Sequence, residues 1–232
     1  MLFECSLHGR ISDQIQSQLI DRLIGICATE PVPISEHEIG FVPTAQTRGG
    51  PGRNEDVLLR LKSSLDDKNL TKRKWQLIQI GPPETSTQKP VTVRQINSTS
   101  LTNGNAFAFM TALGYSFAFE FIRRGVIFVY RNILKIVITQ IFLPEVRNDA
   151  TRIRPFDPNN HWLVEVSASA ESSERVEAVV DELKVSFDHV NTKLDILYST
   201  ATGPDGVCIQ TPLFLVVEME NTKVKEKLEV KI

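Results

Sequence analysis

Two glutamates near the end of the chain are spaced to bind a divalent cation. Glu218 and Glu220 are two positions apart, so a strand that ends here places both carboxylates on one face. Carboxylate oxygens are the ligands that Mg²⁺ prefers, and a cation held this way could carry a triphosphate for hydrolysis. The spacing therefore raises the hypothesis of a metal-dependent phosphohydrolase with a triphosphate-binding tunnel.

That hypothesis requires a second carboxylate pair and several inward Lys and Arg residues. Glu165 is followed two positions later by Ser167, and Glu120 has apolar neighbours at the same spacing. One pair cannot supply the charge, so we interpret Glu218 and Glu220 as surface residues at a strand end. The hydrolase remains only the alternative to a non-enzymatic protein.

No other residue pattern predicts a catalytic, cofactor or metal site. The four histidines and three cysteines are scattered, none has the spacing of a metal-ligand motif, and the glycine patterns that bind nucleotides are absent. These residues are His8, His37, His161, His189, Cys5, Cys27 and Cys208. Unpaired cysteines are typical of reduced thiols in an intracellular protein.

The charge balance argues against nucleic acid as a direct partner. The 232 residues include 26 Lys and Arg against 28 Asp and Glu, for a net charge of −2. A protein that binds phosphate backbones needs a surplus of cations. No apolar run approaches the length that spans a bilayer, and the first residues do not resemble a signal peptide, so we expect no membrane partner. Because no catalytic or nucleotide-binding pattern is present, we also expect no small-molecule substrate.

Many short segments of β-branched and aromatic residues predict a mostly β protein. The predicted strands are Leu2–His8, Ile39–Val42, Val57–Lys62, Trp75–Ile80, Val91–Ile96, Tyr115–Arg123, Val126–Arg131, Ile133–Phe142, Trp162–Ala170, Lys193–Tyr198 and Leu213–Glu218. Loops are expected at 43–56, 81–90, 144–160 and 199–206. The tail 221–232 fits either an edge strand or a solvated end. No linker divides the chain, so we expect one domain over 1–232.

Apolar residues at a spacing of three to four predict two amphipathic helices. The first contains Ile15, Leu19, Leu23 and Ile26 after a capping Ser12 or Asp13, and the second contains Val176, Val179, Val180, Leu183 and Phe187. A shorter third helix is expected over Gly104–Leu113, ended by Gly114 in the left-handed conformation.

Short connections between consecutive strands predict an antiparallel sheet. Arg123-Arg124-Gly125 and Arg131-Asn132 are both too short for a parallel crossover. Val126–Val129 and Ile133–Ile138 are apolar on both faces, which indicates a sheet that is dry on both sides. The expected fold class is α+β, mostly β: a closed or nearly closed antiparallel β-barrel with two or three flanking helices.

Four aromatic residues form the most unusual apolar pattern. Tyr115, Phe117, Phe119 and Phe121 alternate along one strand, which predicts that they share one face. That face could be ordinary core or an exposed stripe that binds an apolar helix of another protein. We therefore name these four as candidate partner-binding residues.

An ordered set of segments resembles the family of Mediator head-module subunit 18, a component of the RNA polymerase II coactivator. The segments that carry the resemblance are Leu7-His8-Gly9 with the following helix, His37-Glu38-Ile39-Gly40-Phe41, Trp75-Gln76-Leu77, the block from Met110 through Tyr115 and Phe121 to Phe142, and Leu163-Val164-Glu165-Val166-Ser167. They cover most of the chain in order. The loops 43–56 and 144–160 and the C-terminal extension depart from the shorter members.

The resemblance implies a barrel similar in shape to the triphosphatase tunnels but without their activity. It also implies a nuclear protein that acts in the regulation of transcription and has no cofactor. Its expected partners are Mediator subunit 20, which forms a heterodimer with it through a similar barrel, and a C-terminal helix of Mediator subunit 8. The rest of the head and RNA polymerase II would be reached indirectly.

Overall fold

The computed structural model describes residues 2–44, 58–66, 73–84 and 91–191, without the side chains of 184 and 186–191. Several predictions fall outside the described residues. These are the strands Lys193–Tyr198 and Leu213–Glu218, the tail 221–232, the pair Glu218 and Glu220, and Cys208.

Nine strands and three helices make up the described part of the chain. The strands are β1 (Leu2–Ile11), β2 (Val32–Pro43), β3 (Leu59–Ser64), β4 (Trp75–Pro83), β5 (Thr92–Leu101), β6 (Tyr115–Tyr130), β7 (Leu134–Pro144), β8 (Ile153–Pro155) and β9 (Trp162–Ala170). The helices are α1 (Asp13–Cys27), α2 (Ala106–Ala112) and α3 (Ser173–Asn191). All three predicted helices are therefore present, and the short strand β8 lies where we expected only a loop.

The strands form a closed barrel. Their order is β6-β2-β3-β4-β5-β1-β9-β7, and a further pairing between β6 and β7 joins the two ends. Every pair is antiparallel, and β8 adds to the edge of β7. Eight strands thus complete the circle, which confirms the predicted antiparallel barrel.

The predicted break at Arg123-Arg124-Gly125 is wrong, because β6 continues through it for 16 residues. A Cβ atom on Gly125 would lie far inside van der Waals contact of the Ile138 carbonyl oxygen on β7. This glycine therefore permits a close approach between two strands rather than a turn. The true turn is at Arg131 and Asn132, whose φ angles of 51° and 57° are those of a type I′ turn, closed by the hydrogen bond from the Ile133 N–H to the Tyr130 carbonyl oxygen at 3.0 Å.

The helices cover the outer surface of the barrel. Leu19 and Leu23 of α1 and Val180 of α3 join one apolar cluster with alternate residues of β1, β5, β6, β7 and β9. Ile15, which we expected in the same stripe, is exposed, because the buried residues of α1 begin only at Leu19. Within the residues described here, no helix is long and apolar enough to cross a membrane.

Helix α2 is followed by the expected glycine but begins two residues later than predicted, after a cap at Asn105 that we did not expect. The Asn105 side chain accepts hydrogen bonds from the backbone N–H groups of Phe107 and Ala108, which have no partner within the helix. Gly114 follows with a φ of 80°, as predicted. The helix packs through Ala106 and Met110 on a second outer cluster, which includes Trp75.

Candidate functional site

Charged side chains line much of the barrel interior, so the prediction of a sheet that is dry on both sides is wrong where they lie, although apolar residues such as Val137 and Phe121 also face inward. Residues directly opposite each other in antiparallel strands point to the same face of the sheet. Along each strand, the residues that alternate with those of the outer apolar cluster therefore point away from the helices and into the barrel. The charged members of this inner face include Glu4, Glu36, Glu38, Arg60, Lys62, Arg94, Arg123, Lys135 and Glu165. The charge of Lys62 on β3 acts to lower the pKa of both Glu4 on β1 and Glu165 on β9, although β3 is not a neighbour of β1 or β9 in the sheet. Lys62 is close enough to these two carboxylates for such an effect only across the interior of the barrel.

Arg123 is the centre of an ion-pair network in this interior. Its guanidinium lies 3.5 Å from Glu38 and 3.4 Å from Glu165. Arg60 lies 3.8 Å from Glu38. In the same two strands, Lys62 of β3 and Glu36 of β2 are 2.9 Å apart. The network joins β2, β3, β6 and β9 across the barrel, and its members are largely shielded from water.

The protein shifts the pKa values of the interior groups. Burial alone would raise the pKa of Glu165, but the charges of Arg123 and His8 lower it below its ordinary value. Burial, together with repulsion from Glu165, raises the pKa of Glu4. The pKa values of these two carboxyl groups, on neighbouring strands, are therefore shifted in opposite directions.

His8 lies at a point where water still enters. Burial lowers the pKa of its imidazole, and the nearby cation Arg94 lowers it further, while Glu165 opposes the shift. More than a third of the His8 surface is nevertheless exposed. His8 is thus surrounded by many protein atoms and is still reached by water. Both the lowered pKa and the exposure agree with a position in the wall of a narrow, water-containing interior.

Sequence reasoning overlooked a carboxylate pair in β2. Glu36 and Glu38 have the same two-residue spacing as Glu218 and Glu220, and both point into the barrel. Each is already paired with a cation, Glu36 with Lys62 and Glu38 with Arg60 and Arg123. Among the described residues, no group of three or more His, Cys, Asp and Glu could hold a metal ion. In this interior, the acidic and basic side chains of different strands thus neutralise one another.

A second polar network lies on the outer face of the same strands. The fully buried His37 has its Nδ1 atom 3.2 Å from the Arg73 guanidinium, which can only donate a hydrogen bond. Its proton therefore lies on Nε2 and is donated to Glu120 at 2.9 Å. Glu120 also accepts the backbone N–H of Asn148 at 3.0 Å. This network fixes the connection between β7 and β8 against the barrel.

The four candidate aromatic residues do not share one face. Phe119 lies opposite Gly40, but Phe117 lies opposite Phe41, so Ala118 forms a bulge that reverses the alternation. Tyr115 and Phe117 are half-buried on the outer cluster beneath α2. On the other face, Phe119 and Phe121 are only 3% and 6% exposed, with nearly parallel rings 6.1 Å apart.

The family model described as Med18 protein matches residues 3–187. The chain belongs to the Med18 family. The Mediator of RNA polymerase II transcription subunit 18 of Yarrowia lipolytica is 27% identical over 215 residues, which are 82% of this chain and 91% of that protein.

Two solved structures share the fold. The Schizosaccharomyces pombe Mediator head module matches with a TM-score of 0.67 and 20% identity, over 83% of this chain and 94% of the other. The triphosphatase of the Mimivirus capping enzyme matches with a TM-score of 0.51 and 10% identity, over 82% and 89%. The expected tunnel-like barrel is confirmed. Family membership also confirms a non-enzymatic Mediator protein of transcription, so the hydrolase alternative is set aside.

Proposed function

We propose that this protein is a scaffold subunit of the Mediator head module in the nucleus, where it acts as part of the coactivator of RNA polymerase II. The observation that carries the proposal is the family match over residues 3–187. The ion pairs inside the barrel support it, because they stiffen the wall and use up the groups that a substrate would need. The working part is then the outer surface and rim of a rigid barrel.

The partners we propose are Mediator subunit 20, through a second barrel, and a C-terminal helix of Mediator subunit 8. The rest of the head and the polymerase would be contacted through them. Permanent assemblies of this kind usually bury upward of about 2,000 Å² and are more apolar than transient contacts. We propose no nucleic acid, membrane or small molecule as a direct partner, and one domain over the whole chain.

The geometry divides the four candidate partner-binding residues into two pairs. Tyr115 and Phe117 lie on the outer side beneath α2, and Phe109 of this helix and Leu113 directly after it are exposed. We propose that this α2 surface, Phe109 and Leu113 backed by Tyr115 and Phe117, binds the partner barrel. Phe119 and Phe121 point away from it, and we propose that they act only by supporting the strand from inside.

Purification of the tagged full-length chain from nuclear extract of its own species, with mass spectrometry of what accompanies it, tests this function. We expect the other head subunits, including subunits 20 and 8, at comparable abundance. A chain with Arg175→Met, a change of an exposed helix residue, is the matched control and should recover the same set. Recovery of no Mediator subunit by either chain would overturn the proposed function.

A further inference from the structure

Two buried serines point into the barrel. Ser6 of β1 and Ser167 of β9 lie directly opposite each other, and both alternate with residues of the outer cluster. They are only 6% and 5% exposed, and within the described part of the chain neither side chain makes a hydrogen bond. Buried hydroxyl groups normally have a hydrogen-bond partner, because an unpaired one costs free energy. We therefore expect a group from outside the chain to bind these two hydroxyls.

The two serines belong to a polar row that crosses four strands. Ser167 lies opposite Lys135 of β7, and Ser6 lies opposite Thr92 of β5. Residues opposite each other in antiparallel strands have Cβ atoms about 5 Å apart. Three hydroxyl groups and one ammonium group therefore occupy adjacent positions on the inner wall. We call Ser6, Thr92, Lys135 and Ser167 the hydroxyl row.

The charges of the inner wall favour an anion at this row. By strand register, the inward-facing cations of the barrel strands are Arg10, Arg60, Lys62, Arg94, Arg123 and Lys135. The inward-facing carboxylates are Glu4, Glu36, Glu38 and Glu165. Burial and repulsion from Glu165 also raise the pKa of Glu4, so this group holds its negative charge less readily. An anion would balance the positive excess, whereas a second cation would add to it.

Two of these cations are available to an anion. Among the described residues, Lys135 and Arg94 make no ion pair, although Arg94 lies opposite Glu4 in the register. Lys62 and Arg123, in contrast, each have a carboxylate oxygen within 3.5 Å. Lys135 is exposed to solvent, so a small ion can reach the row without crossing the paired network.

The room inside the barrel limits the size of this anion. The interior of an eight-stranded barrel has about the room that its own side chains fill, and the ion-pair network occupies part of it. A polyphosphate would have to displace these ion pairs. A single tetrahedral oxyanion needs only the hydroxyl row and the two unpaired cations, because hydroxyl and ammonium groups both donate hydrogen bonds to its oxygens.

We infer that the hydroxyl row binds one inorganic oxyanion of the phosphate or sulfate type inside the barrel. The hydroxyls of Ser6, Thr92 and Ser167 donate to its oxygens, and Lys135 and Arg94 balance its charge. The ion is held and not converted, so it is a component of the barrel wall that stabilises the folded chain by mass action. This site goes beyond the proposed scaffold function and does not depend on it.

Isothermal titration calorimetry of the intact full-length chain with inorganic phosphate, at constant ionic strength in chloride, tests the site. We expect one ion per chain, competition by sulfate, and no tighter binding of tripolyphosphate. Lys135→Met should weaken the binding about tenfold or more, and Ser167→Ala several-fold, because each removes a donor to the oxyanion. Arg175→Met removes an exposed charge on α3 and is the control, which should change the affinity less than twofold.

The pKa of His8 gives a second readout that needs no substitution in the row. His8 follows Ser6 by two residues on the same face of β1. A bound anion favours the protonated imidazole, so NMR titration should show a higher pKa of His8 when phosphate is present. His161, in an outer loop beside Asp157, should keep its pKa. This readout remains decisive even if Lys135→Met fails to fold.

Three results would overturn the inference. The unchanged chain could bind neither phosphate nor sulfate, or Lys135→Met could bind phosphate as tightly as the unchanged chain. Equal shifts of the pKa values of His8 and His161 would show a general salt effect instead of a site. None of these results bears on the scaffold function, which the purification from nuclear extract tests separately.

Discussion

Arg123 holds two carboxylates that the sequence places far apart. Glu38 and Glu165 belong to β2 and β9, and each lies within 3.5 Å of the same guanidinium. Removing the cation leaves two shielded negative charges facing each other, with weaker compensation from their remaining neighbours. A broken buried ion pair costs more than the intact pair contributes, because the group that stays behind remains desolvated.

Arg123→Met should therefore lower the free energy of unfolding by about 3 kcal/mol. Urea denaturation at pH 7, followed by circular dichroism, measures the change. Arg175→Met is the control, since the pair of Arg175 with Glu171 is exposed and should contribute less than about 1 kcal/mol. Equal stability of the two variants would mean that the interior network does not hold the barrel together.

His8 should make the stability of the barrel depend on pH. Its pKa is lowered in the folded state, so the unfolded chain binds a proton more readily as pH falls. Stability is then fully present above the unfolded pKa of about 6.5 and declines as pH falls below it toward the folded pKa.

Replacement of His8 by Asn should flatten this dependence. Melting temperatures measured between pH 7.5 and pH 5.5 should fall less in His8→Asn than in the unchanged chain. His161→Asn, a histidine in an outer loop paired with Asp157 at 2.6 Å, is the comparison, and the steeper fall should persist in it. If His8→Asn falls as steeply as the unchanged chain, another group titrates.

Single residues were the hardest feature to predict. The sequence contains Glu36, Glu38 and Arg123, but nothing local reveals that they meet, because the charges come from strands that pair only in the closed barrel. The lack of a cation surplus in the sequence argued against nucleic acid as a partner, and the lack of metal-ligand spacing argued against a metal site. The missed signal was the two-residue spacing in Glu36-His37-Glu38, which matches the pair considered near the C-terminus.

At the scale of elements, glycine has two meanings that local sequence does not separate. Gly114 ends α2 with a positive φ, whereas Gly125 lies in the middle of a strand with no room for a side chain. The helices were predictable because their apolar spacing is regular. The continuous strand β6 and the bulge at Ala118 were not, because both depend on the partner strand.

Two glycine substitutions should have opposite effects. Gly125→Ala would force the Cβ into the β7 backbone, so we expect a loss of about 3 kcal/mol or a chain that does not fold. Gly25→Ala in α1 meets no atom within 4 Å and should stabilise the protein by about 0.5–1 kcal/mol. Thermal melts of both variants, with soluble yield recorded, measure this. A Gly125→Ala chain of normal stability would contradict the strand packing.

At the scale of the whole molecule, a fold similar to that of a triphosphatase does not imply the same reaction. The barrel resembles a viral triphosphatase in shape at 10% identity, yet the described interior pairs its carboxylates with its own cations. A polyphosphate would have to break these ion pairs before it could bind. Function in this family is therefore expected on the outer surface and the rim.

The intact protein should release no phosphate from tripolyphosphate in the presence of Mn²⁺. The malachite-green signal should match that of a heat-denatured sample over the same time, and Glu38→Gln should give the same background. Metal-dependent release that disappears in Glu38→Gln would show that the interior is catalytic after all.

The pairing of β1 with β9 has a consequence for synthesis. Phe3 finds its partner in Ala170, so the first strand of the chain keeps one edge unpaired until nearly all of the described residues have left the ribosome. Any truncation before that point leaves a sheet with two open edges, each able to pair with another copy. Premature stop codons upstream of β9 should therefore produce aggregates rather than a smaller working subunit.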